Sequence, residues 1–396
     1  MAEKKIDYTK KNISEKVVKA GRILLIAGLI LGILAYFTDT ARAINSYLVM
    51  FMFLVSIGVG SLFLVALEYV AGAEWSTPFR RITESVAYVI PFLLLIALPL
   101  LFSMHDIYHW THTGVVENDP VLSGKTPYLN IPFFIIRFLL ITGLWSVFLF
   151  LLSRNSRKQD ISGDQILTKR NITLSAVFLP VFAVTITISA IDWLMSLEPH
   201  WFSTIFGVYY FSGTVIAALA AITIIVLPMK EHGYLHKKIN NDHLYSFGAL
   251  MFAFVNFWGY IAFSQYLLIW YADLPEETSW FLQRWEGSWA IFSILLIVIH
   301  FIVPYAALLS QPAKMDPKRL KFAAIWLLFA HYYDIYWIVM PGMESMQHGY
   351  VFSWIDFVFP LLVVGIVILI FNFRVKKDNM LPVGDPKLSR SLDFHL

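Results

Sequence analysis

Cysteine is absent from the chain, and charged residues are scarce, at 14% of the total. A chain without thiols cannot ligate an iron–sulfur cluster through cysteine, and it cannot attach a c-type haem through a C-x-x-C-H motif. Soluble globular domains carry roughly 25% charged residues, so the low charge excludes an ordinary soluble protein. We expect this chain to hold no covalently bound cofactor and no metal, and to bind no nucleic acid.

Apolar residues make up 58% of the 396 residues. They recur in runs of roughly 20, each long enough to cross about 30 Å of hydrocarbon as a helix. The runs do not alternate between polar and apolar residues, which excludes the strands of a membrane β-barrel. The sequence therefore predicts an all-α polytopic membrane protein with ten transmembrane helices. The predicted spans are residues 21–37, 44–71, 82–104, 131–152, 173–195, 202–228, 244–270, 288–310, 320–340 and 352–373.

Basic residues fall almost entirely on one side of these spans. If the N-terminus is cytoplasmic, 26 of the 30 lysines and arginines lie in the two tails and the cytoplasmic connections. Only Arg42, Lys125 and Arg284 lie on the other side, and Arg137 lies inside the fourth span. The positive-inside rule then predicts that both termini are cytoplasmic. The predicted location is the inner (cytoplasmic) membrane of a bacterium, in contact with membrane lipids.

A short motif recurs four spans apart. Asp192 precedes Pro199 by seven residues, and Asp334 precedes Pro341 by the same number. A shift of four helices preserves orientation, as a parallel repeat requires. We infer two four-helix bundles, spans 2–5 and 6–9, between two flanking helices. The predicted units are a cytoplasmic tail (1–20), a flanking helix (21–43), a first bundle (44–195), a second bundle (196–345), and a flanking helix with a cytoplasmic tail (346–396).

Ionisable side chains within hydrocarbon are costly and mark candidate functional sites. Thr185, Ser189 and Asp192 are spaced i, i+4 and i+7, so they share one face of the fifth span. The two hydroxyls could relay protons to the carboxylate, or they could donate to carbonyls of their own helix. His331 and Asp334 share a face of the ninth span. An acid beside an imidazole can accept protons from the hydroxyls of a quinol.

Three more polar residues lie inside predicted spans. His300 lies at a depth close to that of His331, where it could relay protons, pack, or ligate one haem together with His331. Glu68, at the inner end of the second span, could open a proton path or be an interfacial acid in water. Arg137 is predicted to reach outward or to pair with an outer carboxylate.

The stretch "MHDIYHWTH" places His105, His109 and His112 on one face if the helix continues, and otherwise in an exposed loop. Binding sites in helical bundles form where facing helices present polar groups. We predict that one set gathers at the outer third of the outward-running spans: Asp106, Asp192, Glu198, His200, His331 and Asp334. The candidate quinol- or proton-handling residues are Asp192, His331, Asp334, His105 and Asp106. The candidate proton path adds Glu68, Thr185, Ser189, His200 and His300.

The stretch "DWLMSLEPHWFSTIFGVYYFSG", residues 192–213, is the most distinctive in the chain. Together with the ten-span layout, it resembles the NrfD-like membrane subunits of alternative complex III, which are similar to the polysulfide-reductase membrane subunits. The resemblance extends from the first span to the tenth, and in size the chain is similar to the smaller of the two such subunits. Asp192 and His200 match the motif, Asp334 joins them through the repeat, and His105 and Asp106 match more loosely.

The resemblance implies a subunit of a quinol:cytochrome c (electron acceptor) oxidoreductase, with quinol or menaquinol as the substrate. The implied partners are a larger NrfD-like paralogue, an iron–sulfur subunit and c-type cytochromes, which would hold the iron–sulfur clusters and haems. This chain would contribute a quinol or proton-handling site on the periplasmic side, proton conduction, or assembly. It is not expected to be catalytic alone.

Two other functions remain open. A stand-alone secondary transporter would use the same repeat but requires helices that are broken near the midplane. Interior prolines at 91, 99, 180 and 304 allow this, although no predicted span is clearly split. A non-catalytic scaffold subunit would instead use the long outer loops, such as "YADLPEETSWFLQRWEGS", to hold a partner.

Overall fold

A computed structural model describes residues 13–346 and 349–396, so residues 1–12 of the predicted tail lie outside the description. Ten helices are long and apolar enough to cross a membrane. They are α1 (Glu15–Thr38), α2 (Thr40–Ala71), α3 (Thr77–Phe102), α4 (Ile131–Ser162), α5 (Ile166–Trp193), α6 (Phe206–Glu231), α7 (Asn241–Ala272), α8 (Trp289–Leu308), α9 (Pro317–Val339) and α10 (Phe359–Val375). The described residues contain no strand. The predicted all-α fold with ten spans is confirmed, whereas the membrane orientation and the unit boundaries stay predictions.

Helices α2 and α6 form the centre of the molecule and are the most enclosed of the ten. They pack against each other, and α5 and α9 contact both of them. The close approach depends on Gly60, because a Cβ at this position would lie 2.5 Å from the carbonyl oxygen of Thr214. Helix α4 packs on α5, while α7 packs on α6 and α8. We call helices α2–α5 the first half of the molecule and helices α6–α9 the second half. Side chains that point inward from α2 and α6 therefore reach helices of both halves.

Helices α1 and α10 pair with each other at the edge of the molecule. Gly28 of α1 faces Leu362, and Gly365 of α10 lies against the backbone of Leu25. Small residues of this kind let membrane helices approach closely, since there is little hydrophobic drive between helices in lipid. The pairing agrees with the prediction that the first and last spans flank the two bundles.

Two of the helices are irregular, and proline explains both. Within α3, the helical segment that starts at Arg80 ends at Ala87, four residues before Pro91, which has no N–H to donate to that turn. In α8, residues Val298–Ile302 form a π-helical turn just before Pro304. The expectation that no span is split is therefore wrong for α3, because its outer half consists of several short helical segments.

We call the end of the bundle that carries residues 103–130 and 273–288 the outer end, following the predicted orientation. At the opposite, inner end, Glu68 is not in water, as one interpretation had it, but 6% exposed. It accepts hydrogen bonds from Arg80 Nε at 2.8 Å and Nη2 at 2.5 Å. Arg80 also pairs with Asp385 of the C-terminal segment, so a buried network of ion pairs joins that segment to the inner ends of α2 and α3.

Candidate functional site

The carboxyl group of Asp334 lies inside the second half of the molecule, where the residue is 1% exposed. One oxygen accepts a hydrogen bond from the hydroxyl of Tyr209 on α6. The other accepts from Trp258 Nε1 on α7 at 3.1 Å. Among residues 13–346 and 349–396, no lysine or arginine pairs with this carboxyl, and its one ion-pair candidate is His331. The acid is therefore enclosed by neutral donors and has no fixed positive counter-charge.

His331 lies one turn before Asp334 on α9, and its hydrogen bonds indicate which ring nitrogen carries the proton. Its Nε2 lies 2.9 Å from the hydroxyl oxygen of Ser56 on α2. That hydroxyl has two acceptors at 3.0 Å, the carbonyl oxygen of Met52 and the hydroxyl oxygen of Tyr210, and donation to either leaves the Ser56 oxygen to accept from His331. We assign the proton of the neutral ring to Nε2 on this basis, which leaves Nδ1 bare toward the nearest oxygen of Asp334 at 3.9 Å. Two proton acceptors that face each other repel, and a proton bound to either of them relieves this repulsion.

His300 completes this group from α8. Its ring stacks on that of Trp258 with the centroids 3.8 Å apart, and it lies 6.3 Å from the ring of His331. The π-helical turn carries His300, which is fully buried. Neither of its nitrogens, and not Nδ1 of His331, has a hydrogen-bond partner in the described part of the chain. Helices α6 to α9 and α2 thus enclose three imidazole nitrogens without hydrogen-bond partners among the described residues, which is unusual in a protein interior.

The same three side chains are the candidates for holding a metal ion. Ligand atoms of His300, His331 and Asp334 lie within 4.8 Å of one another, so small movements could bring them onto one ion. Both oxygens of Asp334 already accept hydrogen bonds from neutral donors, however. Hydrogen bonds to a carboxylate are also found where it ligates a metal, and proton handling by this group stays a prediction. Haem ligation by the two histidines stays a prediction.

Asp192 is fully buried in the first half of the molecule and has a different partner. Arg137 on α4 donates from Nε to Asp192 at 2.6 Å. Arg137 also donates to the carbonyl of Tyr128 at 2.9 Å, and its guanidinium lies 3.9 Å from the centre of that ring. The prediction that Arg137 reaches outward or pairs with an outer carboxylate is confirmed. The proposed role of Asp192 in quinol or proton chemistry stays a prediction.

The hydroxyls below Asp192 do not form a chain toward it. Thr185 donates to the carbonyl of Val181 at 2.8 Å and accepts from Trp145 Nε1 at 2.9 Å. Ser189 donates to the carbonyl of Thr185 at 2.7 Å. Each hydroxyl therefore bonds to its own helix, as the alternative interpretation expected.

The predicted single outer cluster does not form, because Asp192 and Asp334 have no hydrogen-bond partner in common and α2 packs against the helices of both. Phe51 of α2 contacts Trp193, the neighbour of Asp192, at a centroid distance of 5.7 Å. Ser56, further along α2, instead bonds to His331. The buried groups are therefore separate, one in each half of the molecule.

His105 and Asp106 lie outside both buried groups, exposed at the outer end. The helix that begins at Met104 ends at Ile107, so the three histidines of this stretch do not share one helical face. His105 and His112 meet nonetheless, with ring centroids 3.7 Å apart. This arrangement fits the exposed-loop interpretation.

His200 and Glu198 belong to residues 192–213, which we call the signature stretch, and they also lie near the outer end. His200 Nε2 lies 2.5 Å from a carboxylate oxygen of Asp119, and both side chains are accessible to solvent. The hydrogen bond with His200 lowers the pKa of Asp119 below its ordinary value. Burial raises the pKa of Glu198, an effect that the charge of Arg284 partly offsets. Neither residue reaches Asp334 through a hydrogen bond.

Several buried polar groups of the described residues were not among the sequence candidates, and two of them lie near the outer end. Asp356 accepts from Arg42 at 3.0 and 2.6 Å and from Tyr336 at 3.0 Å, near the outer end. Arg284 is fully buried and donates to the carbonyls of Trp280 at 2.9 Å and of a residue on α9 at 2.6 Å. The sequence contained a signal for both groups. Arg42 and Arg284 are two of the three basic residues on the predicted outer side, where positive charges are rare, so each could have been expected to have a buried partner.

Comparison with known proteins found no match, either to a family model or to a curated protein. We therefore infer a function from the chemistry of the buried groups and from the resemblance in the sequence.

Proposed function

We propose that this chain is the proton-handling membrane subunit of a quinol:electron-acceptor oxidoreductase complex. The observation that carries the proposal is the pair His331 and Asp334, buried without a cation and with two proton acceptors 3.9 Å apart. General acid–base chemistry needs groups that exchange protons, and a carboxyl fixed in an ion pair with arginine does not. The proposal places the chain in a bacterial cytoplasmic membrane, with these groups toward the extracytoplasmic side.

Oxidation of one quinol to quinone releases two protons and two electrons. In the proposal, Asp334 and the bare Nδ1 of His331 take up protons from the oxidation site and pass them toward the outer side. The electrons go to partner subunits that hold iron–sulfur clusters and c-type haems, since this chain has no cysteine for such centres. The larger NrfD-like paralogue is the expected partner within the membrane.

The geometry favours proton transfer over direct binding of the quinol ring at this pair. His331 is 1% exposed, and a Cβ added to Gly213 would meet its ring at 2.4 Å. Tyr209 and Trp258 occupy the other side of Asp334. The side chains can move protons by small rotations, whereas a ring-sized ligand would have to displace one of these aromatic residues.

Replacement of Asp334 by Asn tests the proposal. The amide oxygen can still accept from Tyr209 or Trp258, but the side chain no longer titrates. In the complex reconstituted into vesicles, we expect quinol-dependent proton release to slow by about 100-fold, the lower range for a lost general acid–base. Asp273→Asn is the matched control, because Asp273 is exposed at a left-handed position (φ 50°) that asparagine adopts readily.

Full activity and unchanged proton release in Asp334→Asn would contradict the proposal. Solute or ion flux by the isolated chain, without quinol, would support the transporter instead. Loss of partner subunits with normal chemistry in the remaining complex would support the scaffold.

A further inference from the structure

Two cavities adjoin the same helix, α5. A groove of about 450 Å³ between α4 and α5 is almost wholly apolar and begins beside Arg137. A second cavity of about 650 Å³ lies at the outer end. Its lining includes several residues of the signature stretch, among them Met195, Pro199 and His200. The function proposed above does not use either cavity.

The spacing of the lining residues shows that the two cavities follow one face of α5. Val184 and Ile188 line the groove, and Ile191 lines the outer cavity. These positions are spaced i, i+4 and i+7, which places them on one side of a helix. Val184 is 59% exposed and Leu140 across the groove is 60% exposed, so the groove opens away from the protein interior, where lipid would lie. We call the two cavities together the path; they share no lining residue and follow one another along α5 from the apolar flank of the molecule to its outer end.

The outer cavity contains a cation without an acidic partner. Lys125 donates from Nζ to the carbonyl of Pro199 at 2.5 Å. Burial lowers the pKa of Lys125, and the negative charge of Asp119 offsets this only in part. Asp119 is itself hydrogen-bonded to His200, and no ion pair with Lys125 forms in residues 13–346 and 349–396. An ammonium has three hydrogens, so Lys125 has donors left for an anionic ligand.

We propose that this path binds a membrane phospholipid, with its phosphate on Lys125 and one acyl chain in the groove between α4 and α5. A half-buried ammonium matches a phosphate in charge, and lysine is a common phosphate ligand. The apolar groove matches a hydrocarbon chain that reaches it from the bilayer. A quinone would supply carbonyl acceptors but no charge, so it would leave the ammonium unbalanced. Glu276, which also lines the cavity, is exposed and so remains solvated.

Lipid retention by the purified protein tests this inference. The full chain, with any subunits that accompany it, is stripped of lipid in mild detergent. It is then offered the anionic phospholipid phosphatidylglycerol, a diacylglycerol with the same acyl chains, or menaquinone, and native mass spectrometry measures what is retained. We expect one phospholipid to be retained at least about tenfold more than diacylglycerol, as for the loss of one charge-assisted contact. Lys125→Gln should lose this preference, and Lys125→Arg should keep it.

Two further variants separate the site from general lipid binding. Ile188→Trp fills the groove without touching Lys125 and should also release the phospholipid. Lys169→Gln removes the same charge from an exposed position at the inner end of α5 and should change nothing. Equal retention of phospholipid and diacylglycerol, or full retention in Lys125→Gln, would overturn the inference. Preferential retention of menaquinone would overturn it as well, and would assign the path to a quinone.

Discussion

The two halves of the molecule place an aspartate at the same point of the repeat, seven residues before a proline, and give it different surroundings. Asp192 and Asp334 are both buried. Asp192 has Arg137 at 2.6 Å, whereas Asp334 accepts hydrogen bonds from the neutral donors Tyr209 and Trp258 and pairs with no lysine or arginine of the described residues. Burying a charge requires a partner, and in the first half that partner is a permanent cation. In the second half no lysine or arginine of the described residues supplies that charge, and in the proposed function a proton supplies it.

The neighbours of the two aspartates extend this contrast. Three residues before the aspartate, the first half has Ser189 and the second half has His331. The preceding helix contributes Arg137 in the first half and His300 in the second. One half thus has groups that hold a fixed charge, and the other has groups that titrate. The proposed function accordingly assigns proton handling to the second half, whereas the first half has a fixed ion pair.

The largest expected effect is the loss of the ion pair in the first half. Arg137→Leu leaves Asp192 buried without its cation and should destabilise the protein by about 3–5 kcal/mol. The double variant Arg137→Leu/Asp192→Leu removes both charges and should recover most of that stability. Thermal unfolding in detergent measures both. A single variant as stable as the parent would show that Asp192 does not depend on this pair.

The next effect concerns the imidazole of the second half. His331→Gln retains hydrogen-bonding capacity but does not titrate, so quinol-dependent proton release should slow by about 100-fold. Ser189→Ala is the control at the equivalent point of the first half, because that hydroxyl only bonds back to the Thr185 carbonyl. It should have normal activity. An equal loss of proton release in both variants would show that the two halves do not differ in this function.

A smaller effect is expected for Ser56, which fixes the tautomer of His331. Ser56→Ala removes the acceptor for Nε2, so the ring no longer prefers to keep Nδ1 bare toward Asp334. We expect about a tenfold loss of rate, the usual scale for a hydrogen bond worth about 1.5 kcal/mol. The pH profile of the rate should move as well, which a purely structural role of Ser56 would not cause. An unchanged profile would assign Ser56 to packing.

The smallest effect is expected at the outer surface, between Asp119 and His200. The pKa of Asp119 is lowered by its hydrogen bond with His200. The stability that this contact contributes is therefore present above the ordinary carboxyl pKa of 3.8 and is lost as pH falls through the lowered value. Asp119→Asn should be slightly less stable than the parent near neutral pH and should match it in strong acid. Unfolding temperatures across this range measure the difference, and a constant gap would contradict the assignment.

The sequence predicted what depends on local spacing. Runs of apolar residues located all ten helices, and the i, i+3 spacing placed His331 beside Asp334 on one face. The repeat placed the two aspartates at equivalent points of the two halves. Arg137 was correctly expected to find an outer carboxylate, since an arginine inside a span requires a partner.

Contacts between distant segments could not be read in this way. Arg42 and Asp356 are 314 residues apart in the chain, and only packing of α2 beside the segment before α10 brings them together. Tyr209 and Trp258 are two of many aromatic residues, and no spacing marks them as partners of Asp334. The single predicted cluster failed for the same reason, because helical faces were assigned without knowing that α2 packs against both α5 and α9.

The most direct test of the account is infrared difference spectroscopy of carboxyl groups during quinol oxidation by the complex. A carboxyl that gains and loses a proton gives a C=O band that shifts in heavy water. If Asp334 exchanges protons as proposed, such a band is present in the parent and in Arg137→Leu/Asp192→Leu, and it is lost in Asp334→Asn. A band that survives in Asp334→Asn, or that disappears with the first-half ion pair, would contradict it.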